Sequence, residues 1–188
     1  MSQEAAKARD EIIEKAMQFH GGRGPGVVAG VMMVEHALEL LGPVEKLGLV
    51  VETALCLPDG ALIAAKQSYP KCIATILDHG KFAVTLFDGK TGQGVRVWLD
   101  HKKTEKHERL HRWFLRLGPR DEPRAERHAK VIEELKRAGT EVFSSRRVSR
   151  RPIPAESDKL AFCRKCGEPF TIKDASAKTC AECAGKGE

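Results

Sequence analysis

The sequence predicts an α+β protein with a mixed sheet, followed by a small module built around cysteines. Segments with helical periodicity and segments with strand periodicity are interspersed over the first 148 residues, which is the pattern of an α+β domain. The central strand segments follow one another through short turns, and this favours antiparallel neighbours over a doubly wound parallel sheet. Four of the six cysteines lie in the last thirty residues as two close pairs, which is a spacing typical of metal binding.

Two helices separated by a glycine-rich loop open the chain. Ser2 is predicted to cap a helix that ends near Phe19, because apolar residues recur there with helical spacing. Residues 20–26 are rich in glycine, and residues 27–41 form a second helix that is apolar enough to be largely buried. The loop either presents backbone amides to an anion at the start of that helix or is a tight turn before it.

The rest of the main domain alternates between strands and helices. Short turns at residues 78–80 and 88–92 join consecutive strands, and the second turn is typical of a hairpin. Residues 103–117 and 123–138 each combine charged positions with an apolar stripe, which predicts two amphipathic helices. Strands are predicted at residues 47–55, 72–77, 81–87, 93–99 and 141–148, with a short helix at residues 58–66.

Charge and hydropathy limit where the protein is expected to act. No apolar run approaches the roughly 18 residues of a membrane-spanning helix, and the first residues lack the apolar stretch of a secretory signal. We therefore expect a cytoplasmic protein with no membrane association and with reduced thiols. The net charge of +6 and the pI of about 9.1 permit contact with nucleic acid or an acidic partner. Much of the excess comes from a run that a linker would carry without function: Arg146, Arg147, Arg150 and Arg151.

The C-terminal cysteines have the spacing of a zinc module. Cys163 and Cys166 form one pair, and Cys180 and Cys183 form the second, thirteen residues later. Two residues between paired cysteines let both sulfurs face one ion, and four thiolates leave no open position, so the site is structural. A module of about 25 residues buries too little surface to fold without metal. We expect one structural zinc per chain in a treble-clef or ribbon module; two independent redox pairs are the less favoured alternative.

A second motif in the main domain matches a zinc-protease pattern only superficially. His107 and His111 frame an H-E-x-x-H sequence, in which two histidines one helical turn apart would bind zinc. The surrounding residues are mostly charged, which predicts a solvated surface helix. Leu117 stands where a third histidine would be expected. We therefore predict that this motif binds no metal.

Several motifs, ordered along the chain, resemble the formylmethanofuran dehydrogenase E-subunit family. They are Phe-His-Gly-x-x-x-Pro-Gly at residues 19–26, Glu-Thr-x-x-Cys-x-x-Asp at residues 52–59, an Asp-x-Gly-Lys hairpin at residues 78–81, and the terminal cysteine pairs. The resemblance implies a thioredoxin-like domain with a five-stranded mixed sheet flanked by helices, to which some members append a treble-clef zinc finger. It also implies an association with molybdenum or tungsten formylmethanofuran dehydrogenase, but it supplies no reaction that could be assigned to this chain.

The resemblance further implies a metal-binding pocket, which this sequence retains only in part. The first motif of the family resembles His-Gly-His-x-Cys-Pro-Gly. Here His20 remains, Gly22 replaces the second histidine and Gly24 replaces the cysteine. A later cysteine motif of the family is also missing. The resemblance therefore implies a degenerate pocket, which retains a small-ligand site or is inert.

The side chains left in this pocket are His20, Cys56 and Asp59. Asp59 is predicted to cap the short helix, with its carboxylate turned toward backbone amides. Two ligands rarely hold zinc firmly, so we expect no firm metal site in the main domain. The alternative is that Asp59 or His79 completes a set of three.

These observations define domain boundaries and three functional hypotheses. The main domain is predicted to span residues 1–148, a linker residues 149–158 and the zinc finger residues 159–188. The favoured hypothesis is a zinc-containing accessory or partner-binding protein that acts near a pterin-dependent formylmethanofuran or formate-type oxidoreductase. The alternatives are a basic zinc-finger protein that binds nucleic acid weakly and non-specifically, and an enzyme that uses the His20 and Cys56 pocket. The sequence leaves open whether the chain forms homo-oligomers or catalyses a reaction.

Overall fold

The computed structural model describes residues 3–118, 121–153, 159–172 and 177–185. The chain divides into two compact units, Met1–Pro152 and Ile153–Glu188. The predicted cap Ser2 lies outside the described residues, as does the second half of the predicted linker, residues 154–158. Among the described residues, no helix is both long and apolar enough to cross a membrane.

The first unit is an α+β domain around one mixed five-stranded sheet, which confirms the predicted fold class. The strand order is β2-β1-β3-β4-β5; β1 pairs parallel to β2, and every other neighbouring pair is antiparallel. The strands are β1 (Leu47–Val51), β2 (Ile73–Ile76), β3 (Ala83–Asp88), β4 (Gln93–Leu99) and β5 (Phe143–Ser149). The helices are α1 (Gln3–His20), α2 (Pro25–Leu41), α3 (Leu57–Ser68), α4 (His101–Thr104), α5 (Glu108–Phe114) and α6 (Arg124–Ala138).

The helices pack against one face of the sheet, and α2 lies at the centre of the core. Most residues of α2 are buried, as its nearly continuous apolar sequence predicts. On the sheet, Leu49 pairs with Leu86 and Leu86 with Val95, so these side chains lie on the same face. All three belong to the buried cluster that also contains the apolar faces of α1, α3 and α6. Their burial supplies the main stabilisation of the unit.

The predicted hairpin at residues 78–81 is wrong. β2 and β3 do not pair with each other, because they lie on opposite sides of β1. The connecting loop crosses the end of β1, where the backbone carbonyl of Glu52 accepts hydrogen bonds from the backbone N–H groups of His79 and Lys81 at 3.1 and 2.9 Å. The same crossing explains why β1 ends at Val51, whereas the sequence predicted a strand to residue 55.

The single helix predicted at residues 103–117 is also wrong, because two short helices replace it. Asp100 caps α4 by accepting a hydrogen bond from the backbone N–H of Lys102 at 3.0 Å. The chain then turns at residues 105–107, and α5 begins at Glu108. The buried Thr104 stabilises this break, because its hydroxyl bonds the His101 carbonyl at 2.8 Å and lies 2.9 Å from His111 Nδ1.

The second unit contains a short antiparallel hairpin, formed by β6 (Leu160–Phe162) and β7 (Pro169–Thr171). The first cysteine pair lies in the turn between these strands. Gly167 closes the turn with a φ of +80°, a conformation that favours glycine. Its backbone N–H donates to the Cys163 carbonyl at 2.8 Å. This is the glycine-containing knuckle that the prediction of a zinc ribbon or treble clef requires.

Candidate metal sites

Close packing of α2 against α3 builds the pocket in the main domain. A side chain at Gly30 would overlap the backbone of Leu57 and Ala61, and a side chain at Gly60 would overlap the Val27 carbonyl. The two helices therefore approach backbone to backbone, which only glycine permits at these positions. This contact places the start of α3 beside the start of α2, although the two segments are about thirty residues apart in sequence.

His20 and Asp59 meet at this junction. His20 is the last residue of α1, and Gly21 ends that helix with a φ of +74°. The Nδ1 of His20 lies 2.6 Å from the Oδ2 of Asp59, and both side chains are partly exposed. The contact fixes the imidazole with Nδ1 toward the carboxylate, which leaves Nε2 as the free ring nitrogen.

Asp59 does not cap α3, contrary to the sequence prediction. The helix begins at Leu57, two residues before Asp59. Cys56 therefore occupies the N-cap position, and its side chain makes no capping hydrogen bond. Asp59 is therefore in the first turn, where its charge is favourable at the helix N-terminus. Its carboxylate points to His20 rather than to a backbone amide. It orients the histidine in the way that a second-layer carboxylate orients a metal-binding histidine.

Gly24 lies between the two remaining donors of the pocket. A Cβ at position 24 would stand 3.7 Å from His20 Nε2 and 3.8 Å from Cys56 Cβ. The backbone at Gly24 has a φ of −120° and a ψ of 129°, which any residue adopts. A cysteine would therefore fit here and would face both donors. In this chain the third corner of the site carries no side chain.

The structure does not bring together a complete set of metal ligands in this pocket. Among the described residues, the C-terminal cysteines are the one group of three or more His, Cys, Asp or Glu side chains with donor atoms close enough to share an ion. His79, the alternative third ligand, is exposed on the loop after β2. The pocket therefore presents the free Nε2 of His20 and the partly buried thiol of Cys56.

The four C-terminal cysteines form a compact cluster in the second unit. Their Sγ atoms all lie within 4.8 Å of one another, and those of Cys166 and Cys180 are 4.0 Å apart. Cys163 is buried, and its sulfur accepts a hydrogen bond from the backbone N–H of Cys180 at 3.4 Å. Two sequence-distant pairs thus converge on one point, as their spacing predicted.

The thiol pKa values of the cluster favour binding of a cation. Backbone hydrogen bonding, first from Cys166, lowers the pKa of Cys163 to about 6, so this thiol ionises at neutral pH. Hydrogen bonding among the sulfurs, first with Cys180, raises the pKa of Cys183 to about 12, and the negative charge of Cys163 adds a smaller contribution in the same direction. A bound divalent cation removes this conflict and deprotonates all the thiols. The donor set therefore fits a structural metal ion.

The H-E-x-x-H histidines face different partners. His107 precedes α5, and its Nε2 lies 2.8 Å from Glu141 Oε1. The Nδ1 of His111 is 2.9 Å from the Thr104 hydroxyl. The break before α5 removes His107 from the regular helix on which both nitrogens would face one ion. The contacts serve to hold α4, α5 and the turn before β5 together.

The arginine run is not a continuous basic patch. Arg146 and Arg147 lie on β5, and consecutive strand residues point to opposite faces of a sheet. Arg147 Nη2 donates to the Leu40 carbonyl at the end of α2, at 2.8 Å. Arg146 is instead paired in register with Arg96 on β4. The two guanidinium groups therefore cannot track one phosphate backbone together.

Similarity to known proteins extends over almost the whole chain. One similar crystal structure is that of an FmdE-like protein from Syntrophus aciditrophicus, FmdE being the E subunit of a tungsten formylmethanofuran dehydrogenase. It has a TM-score of 0.68 and 32% sequence identity, and the match covers 95% of this chain and 93% of that one. A probable S-adenosyl-L-methionine-binding protein from Archaeoglobus fulgidus is 28% identical over 200 residues. That alignment covers 93% of this chain and 52% of the relative, so the chain spans about half of the relative's length.

A family model identifies the protein family of the main domain. The model described as FmdE, Molybdenum formylmethanofuran dehydrogenase operon, matches residues 19–147. This range begins just before His20 and ends within β5, so it contains both remaining donors of the pocket and the complete sheet up to its last strand. Because the match covers more than half of the 188 residues, the chain belongs to the FmdE family.

Proposed function

We propose that this FmdE-family protein is a zinc-containing accessory protein whose main domain has lost the metal site of its pocket. In this proposal the metal of the protein is one structural zinc, held by Cys163, Cys166, Cys180 and Cys183. The pocket around His20 and Cys56 does not carry out metal chemistry. The protein acts by binding a partner, a pterin-dependent oxidoreductase of the formylmethanofuran or formate type.

The four-cysteine cluster is the observation that carries the proposal. Four thiolates in two C-x-x-C pairs are the usual donor set of structural zinc, which has no geometric preference of its own and accepts tetrahedral sulfur coordination. Because all four positions are occupied by protein, such an ion neither activates water nor binds substrate. Its contribution is the folding free energy of a module whose apolar residues are few: Leu160 and Phe162 of β6 are both largely exposed.

The absence of a third donor supports the loss of metal in the main domain. Position 24 is where the family resemblance expects a cysteine, and the space beside His20 Nε2 and Cys56 is shaped to receive one. Glycine has no donor, so an ion there would depend on two protein ligands. Catalytic zinc sites usually keep three.

The partner is inferred from the family. The family model is named for the molybdenum formylmethanofuran dehydrogenase operon, and a similar solved structure is that of a protein like the E subunit of the tungsten enzyme. Proteins encoded in one operon commonly assemble or act on one process. An accessory role also agrees with a main domain whose described residues offer no group of three or more His, Cys, Asp or Glu side chains that could hold a metal ion.

Elemental analysis of the purified chain tests the metal assignment. We expect about one zinc per chain, and loss of that zinc when Cys163 and Cys180 are both replaced by serine. Cys56→Ser is the matched control, because it also removes a thiol but should leave the zinc content unchanged. Retention of zinc in the double variant, or its loss in Cys56→Ser, would place the metal elsewhere.

The partner assignment needs a separate measurement. The tagged chain should be isolated from its native host, and the eluate analysed for molybdenum and tungsten. We expect one of these metals to co-elute with the chain in a fixed ratio. Elution of the chain without either metal, from an extract that retains the oxidoreductase activity, would contradict the partner role.

A further inference from the structure

A cleft of about 580 Å³ opens beside Cys56 in the main domain. One wall is formed by the starts of α2 and α3, which contribute Gly24 and Cys56. The other wall is formed by α5, the start of α6 and the residues just before α6. The cleft therefore adjoins the degenerate pocket, but most of its lining comes from the second half of the domain, which the pocket does not use.

The floor of the cleft is aromatic. The ring of Phe82 meets Trp113 edge to face, with 5.5 Å between centroids, and meets Phe114 in the same way at 5.8 Å. Trp113 and Phe114 are only partly buried, so part of each ring faces the cleft. Such a surface favours a planar, unsaturated group, which gains dispersion and edge or stacking contacts with the rings.

The rim of the cleft is strongly basic. Five arginines line the cleft, whereas only two carboxylates, those of Asp121 and Glu122, do so. Burial lowers the pKa of the lining His128, and its Nδ1 contacts the Arg23 carbonyl at 3.1 Å, so this ring is neutral at pH 7. The arginines are Arg109, Arg112, Arg116, Arg124 and Arg127.

The carboxylates do not neutralise this rim. Glu122 already contacts Lys130 at 2.9 Å and Arg109 at 3.6 Å. Within the described parts of the chain, neither Arg116 nor Arg124 has a carboxylate at ion-pair distance. Arg116 also has a φ of +57°, which is unusual for a residue with a side chain. Arg109 and Arg112 have carboxylate partners in Glu122 and Glu108, so Arg116 and Arg124 are the arginines of the cleft that remain available for an anion.

We propose that this cleft binds a small organic anion, with a planar ring on the Phe82, Trp113 and Phe114 floor and a phosphate or carboxylate held by the arginines. Guanidinium groups bind both head groups through paired N–H donors. The concave shape buries the ring while the charged group stays at the rim, which is the usual arrangement of a small-ligand site. The ligand would extend along the wall toward Cys56. This inference is independent of the metal content of the neighbouring pocket.

Matched naphthalene probes separate the two parts of the proposal. Isothermal titration calorimetry of the full chain should compare 1-naphthyl phosphate, 1-naphthoate, 1-naphthol and inorganic phosphate. We expect the naphthyl phosphate or the naphthoate to bind at least about tenfold more tightly than naphthol and than phosphate alone, a difference of roughly 1.4 kcal/mol. Whichever anion binds more tightly identifies the head group of the ligand.

Charge-reversal variants locate the binding. Arg116→Glu combined with Arg124→Glu should weaken binding of the preferred anion by about tenfold or more. Arg150→Glu combined with Arg151→Glu changes the net charge equally outside the cleft, and should change the affinity less than about twofold. The Trp98→Phe variant has Trp113 as its single tryptophan. In that variant, binding of the naphthyl probe in the cleft should quench the fluorescence of Trp113.

Three results would overturn the inference. Naphthol binding as tightly as the anions would show an apolar surface without anion recognition. Equal weakening by the Arg150 and Arg151 pair would show long-range attraction rather than a site. Lack of binding of every probe at about millimolar concentration, where even weak specific sites fill, would show that the cleft is not a site for this class of ligand.

Discussion

His20 Nδ1 lies 2.6 Å from Asp59 Oδ2, although 39 residues separate them in sequence. The contact joins the end of α1 to the first turn of α3 and turns the free Nε2 of His20 toward Gly24. This is the second-layer arrangement of a metal-binding histidine. The orienting carboxylate thus lies beside a position, Gly24, that offers no side-chain donor.

We predict that Gly24→Cys creates a metal site in the main domain. The new thiolate would face His20 Nε2 and Cys56, which makes three donors, and the backbone at this position accepts a side chain without strain. Elemental analysis should find about one more zinc per chain than in the wild type. Gly24→Ser is the control, because it fills the same space without a thiolate. An unchanged zinc content in Gly24→Cys would show that the pocket geometry, and not only the missing donor, excludes metal.

We predict that His107→Ala and His111→Ala together leave the zinc content unchanged. His107 Nε2 lies 2.8 Å from Glu141 Oε1 and His111 Nδ1 lies 2.9 Å from the Thr104 hydroxyl, so the two rings are directed at different groups and not at one ion. The variant should lose stability, because the hydroxyl of buried Thr104 loses a partner, at a cost of about 1–3 kcal/mol. Urea unfolding and elemental analysis of the same sample measure both effects. Loss of one zinc equivalent would reverse the assignment.

Glu52 and Arg96 should make the main domain sensitive to acid. Two hydrogen bonds join them, at 2.6 and 2.8 Å, and hydrogen bonding from Arg96 holds the pKa of Glu52 below its ordinary value of 4.5. A lowered folded-state pKa stabilises the protein above the unfolded-state value, and this stabilisation is lost as the pH falls through the folded-state value. The pair should therefore contribute fully at pH 7 and lose its effect as the pH falls below 4.5 and through the lower folded-state pKa of Glu52.

Urea unfolding of Glu52→Gln between pH 7 and pH 3 tests this dependence. The variant should be less stable than the wild type by about 3 kcal/mol at pH 7, because Arg96 is left half-buried without its partner. The difference should shrink toward pH 3. Glu45→Gln removes the exposed ion pair with Lys90 and should cost less than about 1 kcal/mol. A constant difference for Glu52→Gln at every pH would rule out the charge as its cause.

Binding of nucleic acid should be weak and independent of sequence. Aromatic residues make up only 5% of the chain, so few rings are free to stack on bases. Arg146 and Arg147 point to opposite faces of the sheet, so the basic run supplies scattered phosphate contacts. Fluorescence anisotropy with unrelated duplexes should give similar, salt-sensitive affinities. A submicromolar complex with one sequence at physiological salt would contradict this.

The sequence predicted the elements better than their connections. Runs of apolar and β-branched residues bounded by turn residues located the five strands of the sheet, because such residues favour strands. The placement of β2 and β3 on opposite sides of β1 has no such signature, since it depends on backbone hydrogen bonds to the Glu52 carbonyl. The break before α5 was missed for the same reason: Thr104 and His111 stabilise it through a contact that spacing does not reveal.

The sequence likewise predicted one of the sites and missed features of the others. Paired cysteine spacing predicted a cluster that the fold does bring together, because each pair is local. The role of Asp59 was missed, since an aspartate near a helix start is more often a cap, and its partner His20 is remote in sequence. The arginine-rimmed cleft was not predicted at all. Its residues come from several segments, and the cleft exists only where α5 and α6 fold back beside α2.

A crystal of the purified chain, measured on both sides of the zinc absorption edge, tests the central claim most directly. The account predicts one strong anomalous peak, at about 2.3 Å from the four sulfurs of Cys163, Cys166, Cys180 and Cys183, and none beside His20 or Cys56. A peak within that distance of His20 or Cys56 would show that the pocket in the main domain still holds metal, and the proposal of a lost site would be wrong.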